Sequence, residues 1–477
     1  MTPRGAAAAI VPEPDGSGPV ATADDVTTFA DLKDWERQLA STGTCSRPVR
    51  LHGRIEAIDL ATGDAAPVYD TASEPGGVLH VACGNRRESR CPSCSAVYKR
   101  DARQLVRAGL TGGKGVPESV ATHPCVFATF TAPSFGPVHS RRVKNGQVRL
   151  CRPRRDANRR ACREHGRDIS CNVRHSPDDP RIGRPLCGDC YDYEAAVLFN
   201  LHATALWRRF TTYLPRHLAR LAGVTQKQRR RELSIRFVKV AEYQARGVVH
   251  FHAVIRLDAN TKEGFAPPPA RYTAALLCDA IALAARAVRI DAPGSGPHIR
   301  LGFGRELDTR PIWREDFAAT GKPLDPGAVA NYIAKYVTKA VDVPGLPDTR
   351  IRHALEIDAL RCSAHHKRMV ATAWDLGARA SVGDPRFRLW AHQLGYGGHP
   401  LTKSRRYSVI FGYIRGERVT ARRLERHPDG ERDPWGRPLD DRVVLVLANW
   451  SYAGAGYTPR TDVAELALAS ADRARGH

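Results

Sequence analysis

The chain has 477 residues, 42% of them hydrophobic, which at roughly 100–200 residues per domain leaves room for two to four domains with sizeable cores. No run approaches the ~20 apolar residues of a membrane span, and no basic stretch followed by an apolar one opens the chain, so a cytoplasmic protein without membrane partners is expected. Lys and Arg number 73 against 50 Asp and Glu, a net +23 spread over many segments, and a cytoplasmic protein this basic is expected to meet a polyanion, most commonly nucleic acid.

In chain order, the first 25 or so residues are rich in Ala, Pro and Gly without periodicity, and an arm over 1–40 is expected to be disordered. A Cys-rich region follows over 41–115, with a helix pattern around Tyr98–Leu110. The central segment spans 116–345. It opens on a β-rich run, Cys125–Ala132, stopped by Pro133. A basic, Cys/His-rich insertion occupies 139–192, and a long helix pattern runs from Tyr193 to Ala222. Two strands are expected near Leu233–Tyr243 and Val248–Leu257, then a helix near Tyr272–Ala287 and a helix carrying Tyr332 and Tyr336, ended by Pro344 and Pro347. Residues 346–477 form a basic C-terminal region ending in a strand near Arg442–Leu447.

The stretch Val248–Ile255 alternates. Val249, Phe251, Ala253, Ile255 and Leu257 are apolar and should face a core, so His250 and His252 project together from the other face. Pairing odd positions with odd, so that Ile235 and Phe237 share the core face, puts Glu242 beside the two histidines. One carboxylate and two imidazoles with open positions suit a divalent ion such as Mg²⁺ or Mn²⁺ acting on a phosphate. A strand histidine can also simply face solvent; Glu242 in phase with the pair weighs against that.

Downstream, Ala330, Ile333, Ala334, Val337, Ala340 and Val341 make an apolar helical stripe. Tyr332 and Tyr336 stand at i and i+4 off its centre, with Lys335 and Lys339 on the same flank. The bland reading is two tyrosines flanking a core. The lysines beside them would instead attract a phosphodiester and favour phenolate, which a phenol needs to act as a nucleophile.

The order of a Thr-rich strand (Phe127-Ala-Thr-Phe-Thr131), His250-x-His252 and Tyr332-x-x-Lys-Tyr336 resembles the three motifs of HUH endonucleases, and the two tyrosines with three residues between them resemble the two-tyrosine Rep branch. With Cys91-Pro-Ser-Cys94 and the Gly395–Tyr407 segment, the chain is similar over roughly 45–415 to RepSA-type replication initiators of actinomycete plasmids and integrative elements. Ala128 and Phe130 depart from the Leu commoner at those motif positions. The resemblance implies an α+β fold, an HUH core of central antiparallel sheet with flanking helices. It implies a plasmid initiator that nicks one origin strand through a tyrosine–DNA link and starts rolling-circle replication, with host polymerase and helicase as partners. In that reading Glu242, His250 and His252 hold the ion, Tyr332 makes the first cut, Tyr336 serves termination and Lys335 contacts phosphate.

Ten of the twelve cysteines precede residue 191. In a reducing compartment such spacing reads as structural Zn²⁺ rather than disulfides. Cys162, Cys171, Cys187 and Cys190 are the expected set in the insertion, with His165 and His175 competing; Cys91 and Cys94 have Cys83 and Cys45 as available partners. Lys403, Arg405 and Arg406 open a basic stretch that continues to Arg426, interleaved with Tyr407, Phe411 and Tyr413. With Lys339 they are candidate DNA contacts, and a winged-helix-like origin binder is one form the region could take. Two other readings stand beside the nicking enzyme: a non-catalytic zinc-containing DNA-binding regulator, and an HUH relaxase or transposase.

Overall fold

The computed structural model describes residues 29–153, 162, 166, 169–262, 264–293, 299–312, 326–339, 343–379, 384–428, 430–439 and 444–457. The chain divides into two units, Met1–Cys83 with Asp429–His477, and Gly84–Pro428. These limits differ from the expected ones: the Cys-rich region is split at residue 83 and the C-terminal region at 428. No helix among the described residues is long and apolar enough to cross a membrane.

In the first unit a long strand, Val49–Asp59, pairs antiparallel with Ala65–Asp70, Leu79–Val81 and Val444–Ala455. The arm expected over 1–40 ends in a helix, Phe29–Ser41. Burial explains the order: Trp35 is buried, and Gln38 gives its amide to Val78 O at 3.0 Å and accepts the His80 N–H at 3.1 Å.

The second unit is mixed α and β. Its elements are α1 (Pro92–Thr111), β1 (Cys125–Phe130), α2 (Tyr193–Leu221), β2 (Leu233–Tyr243), β3 (Val249–Ala259), α3 (Ala274–Ala287), β4 (Leu307–Pro311), α4 (Pro326–Lys339), β5 (Leu401–Lys403) and α5 (Phe411–Arg426), with shorter helices between α4 and β5. The strands form an antiparallel sheet ordered β4-β1-β3-β2-β5. Asp192 caps α2 by accepting the Ala195 N–H at 2.8 Å, which satisfies one of the helix's orphan donors.

Hydrophobic phasing sets the register. Ile235 pairs with Leu257 and Phe237 with Ile255, which places Glu242 opposite His250. One face of the sheet carries Phe251, Ala253, Ile255 and Leu257 against α2 and α3, where Trp207, Phe210, Leu214 and Ile281 are buried. The other face is not the open surface that strand alternation predicts. Val238, Val240 and Val254 there lie under Leu105 and Val106 of α1 and Val329, Ala330 and Ile333 of α4. The histidines therefore sit at the end of a covered face.

The C-terminal stretch is more structural than its charge predicts. Tyr407 is fully buried and donates to Val106 O at 3.1 Å. Phe411 packs on Tyr98 with centroids 5.1 Å apart. Arg415 and Arg418 pair with the buried Asp101 of α1. Lys403 donates to the carbonyls of Ser404, Arg405 and Ser408, so it holds a loop. α5 docks on the sheet domain, and the strand Val444–Ala455 belongs to the other unit; the described residues show no winged helix.

Two buried charges generate tests. Asp258 receives both Arg256 Nε and Nη2, at 2.7 and 2.9 Å, and His123 Nδ1 lies 2.8 Å away, all at zero side-chain exposure or close to it. Burial would raise the Asp258 carboxyl, but His123 and Arg256 hold it below its usual range. Asp258→Asn leaves the guanidinium without its counter-charge and should cost roughly 3–5 kcal/mol, read as a drop in the urea midpoint; an unchanged midpoint would contradict the assignment.

Lys239 is 2% exposed, and its ammonium lies 4.0 Å from the Phe251 ring centroid and 5.7 Å from that of Trp207. Burial pushes its pKa down to about 7. Between pH 7 and 10 the unfolded chain holds this proton and the folded chain sheds it, so stability tied to Lys239 rises with pH, by up to about 1.4 kcal/mol per unit. Lys239→Met should be more stable than wild type at pH 7, with the gap shrinking as pH approaches 10. A gap independent of pH would show that the amine is not desolvated.

Candidate active site

β2 and β3 bring Glu242, His250 and His252 together, their ligand atoms within 4.8 Å of one another. Glu242 Oε2 is 2.7 Å from His250 Nε2 and 3.1 Å from His252 Nε2, and the two imidazole centroids are 4.4 Å apart. Burial would raise the Glu242 carboxyl, but hydrogen bonds from His250 and His252 outweigh it and hold the group below its ordinary value. Burial lowers His252. At neutral pH the cluster offers an anionic oxygen and a neutral imidazole, the donor states a divalent cation takes.

Thr129 of β1 pairs with His252 across the sheet, and its Oγ1 lies 3.1 Å from His252 Nδ1. With Nδ1 engaged by Thr129, the His252 ring is turned so that Nε2 faces Glu242 and His250. Sequence reasoning placed Thr129 in a motif without giving it a task; the signal was a threonine in phase with His252 on the neighbouring strand.

α4 supplies the tyrosine. Ala330 and Ile333 are buried against the sheet and α1, Ala334 is buried beside them, and Arg103 Nε donates to Asn331 Oδ1. With that stripe inward, Tyr332 emerges at the rim of the cluster, 39% exposed. Its ring stands edge-on to His252, centroids 5.2 Å apart, and edge-on to Phe127 at 5.6 Å. Lys335 is exposed one turn on. Tyr336 and Lys339 continue the helix; their side chains lie outside the described residues.

A basic groove that sequence reasoning missed lies at the turn joining β2 to β3. It has a volume of about 770 Å³ and is lined by Thr131, Gln244 and the arginines 152, 246, 289 and 305. Arg246 donates to Ala132 O and Pro133 O at 3.0 and 2.8 Å, which fixes one wall. Arg405 and Arg406 are exposed, and Arg406 donates to Lys262 O at 2.8 Å.

The insertion's cysteines sort differently from the expected set of four. Cys162, Cys187 and Cys190 come together, whereas Cys171 joins His139, Cys151 and His175. Cys151 pairs with no Cys-x-x-Cys partner, which is why sequence reasoning passed over it. His165 lies outside the described residues. Cys45 and Cys83 belong to the first unit, where the Cys83 N–H points at Cys45 Sγ at 3.3 Å. Cys91 and Cys94 belong to the second, at the start of α1.

The family described as RepSA, replication initiator protein, pSAM2, matches residues 31–472. A replication initiator protein of Streptomyces ambofaciens is 41% identical over 453 residues, covering 93% of this chain and 91% of that one. No solved structure matches. The chain belongs to the RepSA family of replication initiator proteins.

Proposed function

We propose that the chain starts rolling-circle replication of a plasmid or integrative element by nicking one strand of its origin DNA. The observation that carries this reading is the Tyr332 ring, held 5.2 Å from His252 at the edge of the Glu242–His250–His252 cluster. A nucleophile and three donors for a hard cation meet at one end of a sheet.

Glu242, His250 and His252 would hold Mg²⁺ or Mn²⁺, which when bound polarises a scissile phosphate. The Tyr332 phenol oxygen bonds to phosphorus and the bond from phosphorus to the 3′ oxygen breaks. The products are a 5′-phosphotyrosyl strand and a 3′-OH that a host polymerase extends while a helicase opens the duplex. Lys335, three residues on, favours the negative charge on phenol and phosphate. Tyr336, one helical turn along in the sequence, would serve the terminating transfer. Arg246 and its neighbours give the groove the charge to follow a single strand's phosphates, with Lys339, Arg405 and Arg406 as further contacts. Cys162 and Cys187 have sulfurs 3.7 Å apart. Two thiolates on one tetrahedral Zn²⁺ at 2.3 Å lie about 3.8 Å apart, so with Cys190 they would hold a structural zinc.

Supercoiled plasmid bearing the cognate origin, incubated with the protein and Mn²⁺, should convert to the nicked circle, and chelation should stop it. Tyr332→Phe should slow the first cut by at least about a hundredfold, in the range seen when a covalent nucleophile is lost. Binding without nicking by wild type would favour the regulator reading; equal nicking by a Tyr332→Phe, Tyr336→Phe double variant would remove tyrosine from the chemistry. Thr129→Val keeps the shape but drops the bond to His252, and the Mn²⁺ concentration for half-maximal nicking should rise about 10- to 100-fold; no rise would leave Thr129 with a packing role alone.

A further inference from the structure

We infer that the insertion holds a second structural Zn²⁺, bound by His139, Cys151, Cys171 and His175, separate from the group at Cys162, Cys187 and Cys190. Among the described residues from 137 to 190, the buried ones are Cys151, Cys162, Cys171, His175, Cys187 and Gly183. Val143 and Val173, apolar residues that could have made a core, are exposed. The buried side chains among these described residues are thiols and one imidazole, which give the lobe no apolar centre to fold around. It needs a metal in the core's place.

The spacing of the four groups fits one tetrahedral ion. His139 Nδ1 lies 3.3 Å from His175 Nε2, and Cys171 Sγ lies 3.5 Å from the same atom. With Zn–N bonds near 2.05 Å and Zn–S bonds near 2.3 Å, tetrahedral edges come to about 3.3 Å for two nitrogens and about 3.6 Å for a nitrogen and a sulfur.

The surrounding bonds are those of a prepared ligand set. His175 Nδ1 lies 2.7 Å from Asp179 Oδ2, a contact that orients the ring and turns Nε2 toward His139 and Cys171. Asp179 is in turn held by Arg181. Cys151 Sγ accepts the Ser140 N–H at 3.2 Å. Arg152 and Cys171 exchange both backbone hydrogen bonds, at 2.8 and 2.7 Å, so the two cysteine-bearing segments lie side by side. Two thiolates and two imidazoles complete four-coordination with no open position, the mark of a structural rather than a catalytic zinc.

The test is zinc content per chain of the full-length protein, purified under reducing conditions without chelator. Cys151→Ser should lose one equivalent relative to wild type, Cys187→Ser should lose one, and the double variant two. Wild-type content in Cys151→Ser, or a double variant that loses no more than either single one, overturns the proposal; so does a Cys151–Cys171 disulfide in the wild-type protein. Should Cys151→Ser fail to fold, His139→Cys keeps four ligands. After Co²⁺ replacement its sulfur-to-cobalt absorption should grow stronger than wild type at unchanged metal content. An identical spectrum overturns the assignment of His139.

Discussion

The pairing of Glu242 opposite His250 in the β2–β3 ladder is the constraint on which the site depends. A slip of one residue would turn Glu242 to the α2 face and carry Phe237 off its apolar neighbours, because strand side chains alternate with period two. The register is therefore held by the same aromatic and aliphatic packing that makes the core, including Trp207 edge-on to both Phe237 and Phe251. Stability and ligand geometry are set by one ladder.

A second constraint acts from above the sheet. α4 lies on the face that carries the histidines because Val329, Ala330 and Ile333 have apolar partners there in Val240, Val254 and Leu105. Once that stripe is buried, the position one residue before Ile333 emerges at the rim, and it is Tyr332. Phe127 of the neighbouring strand touches both the tyrosine and His252, stacked on the imidazole at 5.8 Å. Thr129, two residues further along that strand, steers His252 itself. The strand supplies support to both halves of the site without donating a ligand of its own.

Much of this was legible in the sequence wherever one periodicity ruled. The alternation in Val248–Leu257 located β3 and, through Ile235 and Phe237, the phase of Glu242. The helical stripe after Ala330 located α4. Legibility failed where long-range packing decides. Val254 and Val238 look like ordinary strand residues, and nothing local says that α1 and α4 cover them. Asp101 and Arg415 are distant in sequence, so a basic stretch that reads as a nucleic-acid face turns out to be partly a docking surface. In the insertion, proximity along the chain assigned Cys171 to Cys162 and Cys187. The backbone exchange between Arg152 and Cys171 instead carries it to Cys151 and the histidines.

The claim at the centre of this account is that Tyr332 becomes covalently joined to DNA beside the Glu242–His250–His252 cluster. It is tested most directly by trapping the protein on a labelled single-stranded origin oligonucleotide with Mn²⁺, digesting both polymers and mapping the modified residue by mass spectrometry. The account predicts a nucleotide linked through its 5′ phosphate to Tyr332. A link to a residue outside α4, or an oligonucleotide cut without any link to protein, would contradict it.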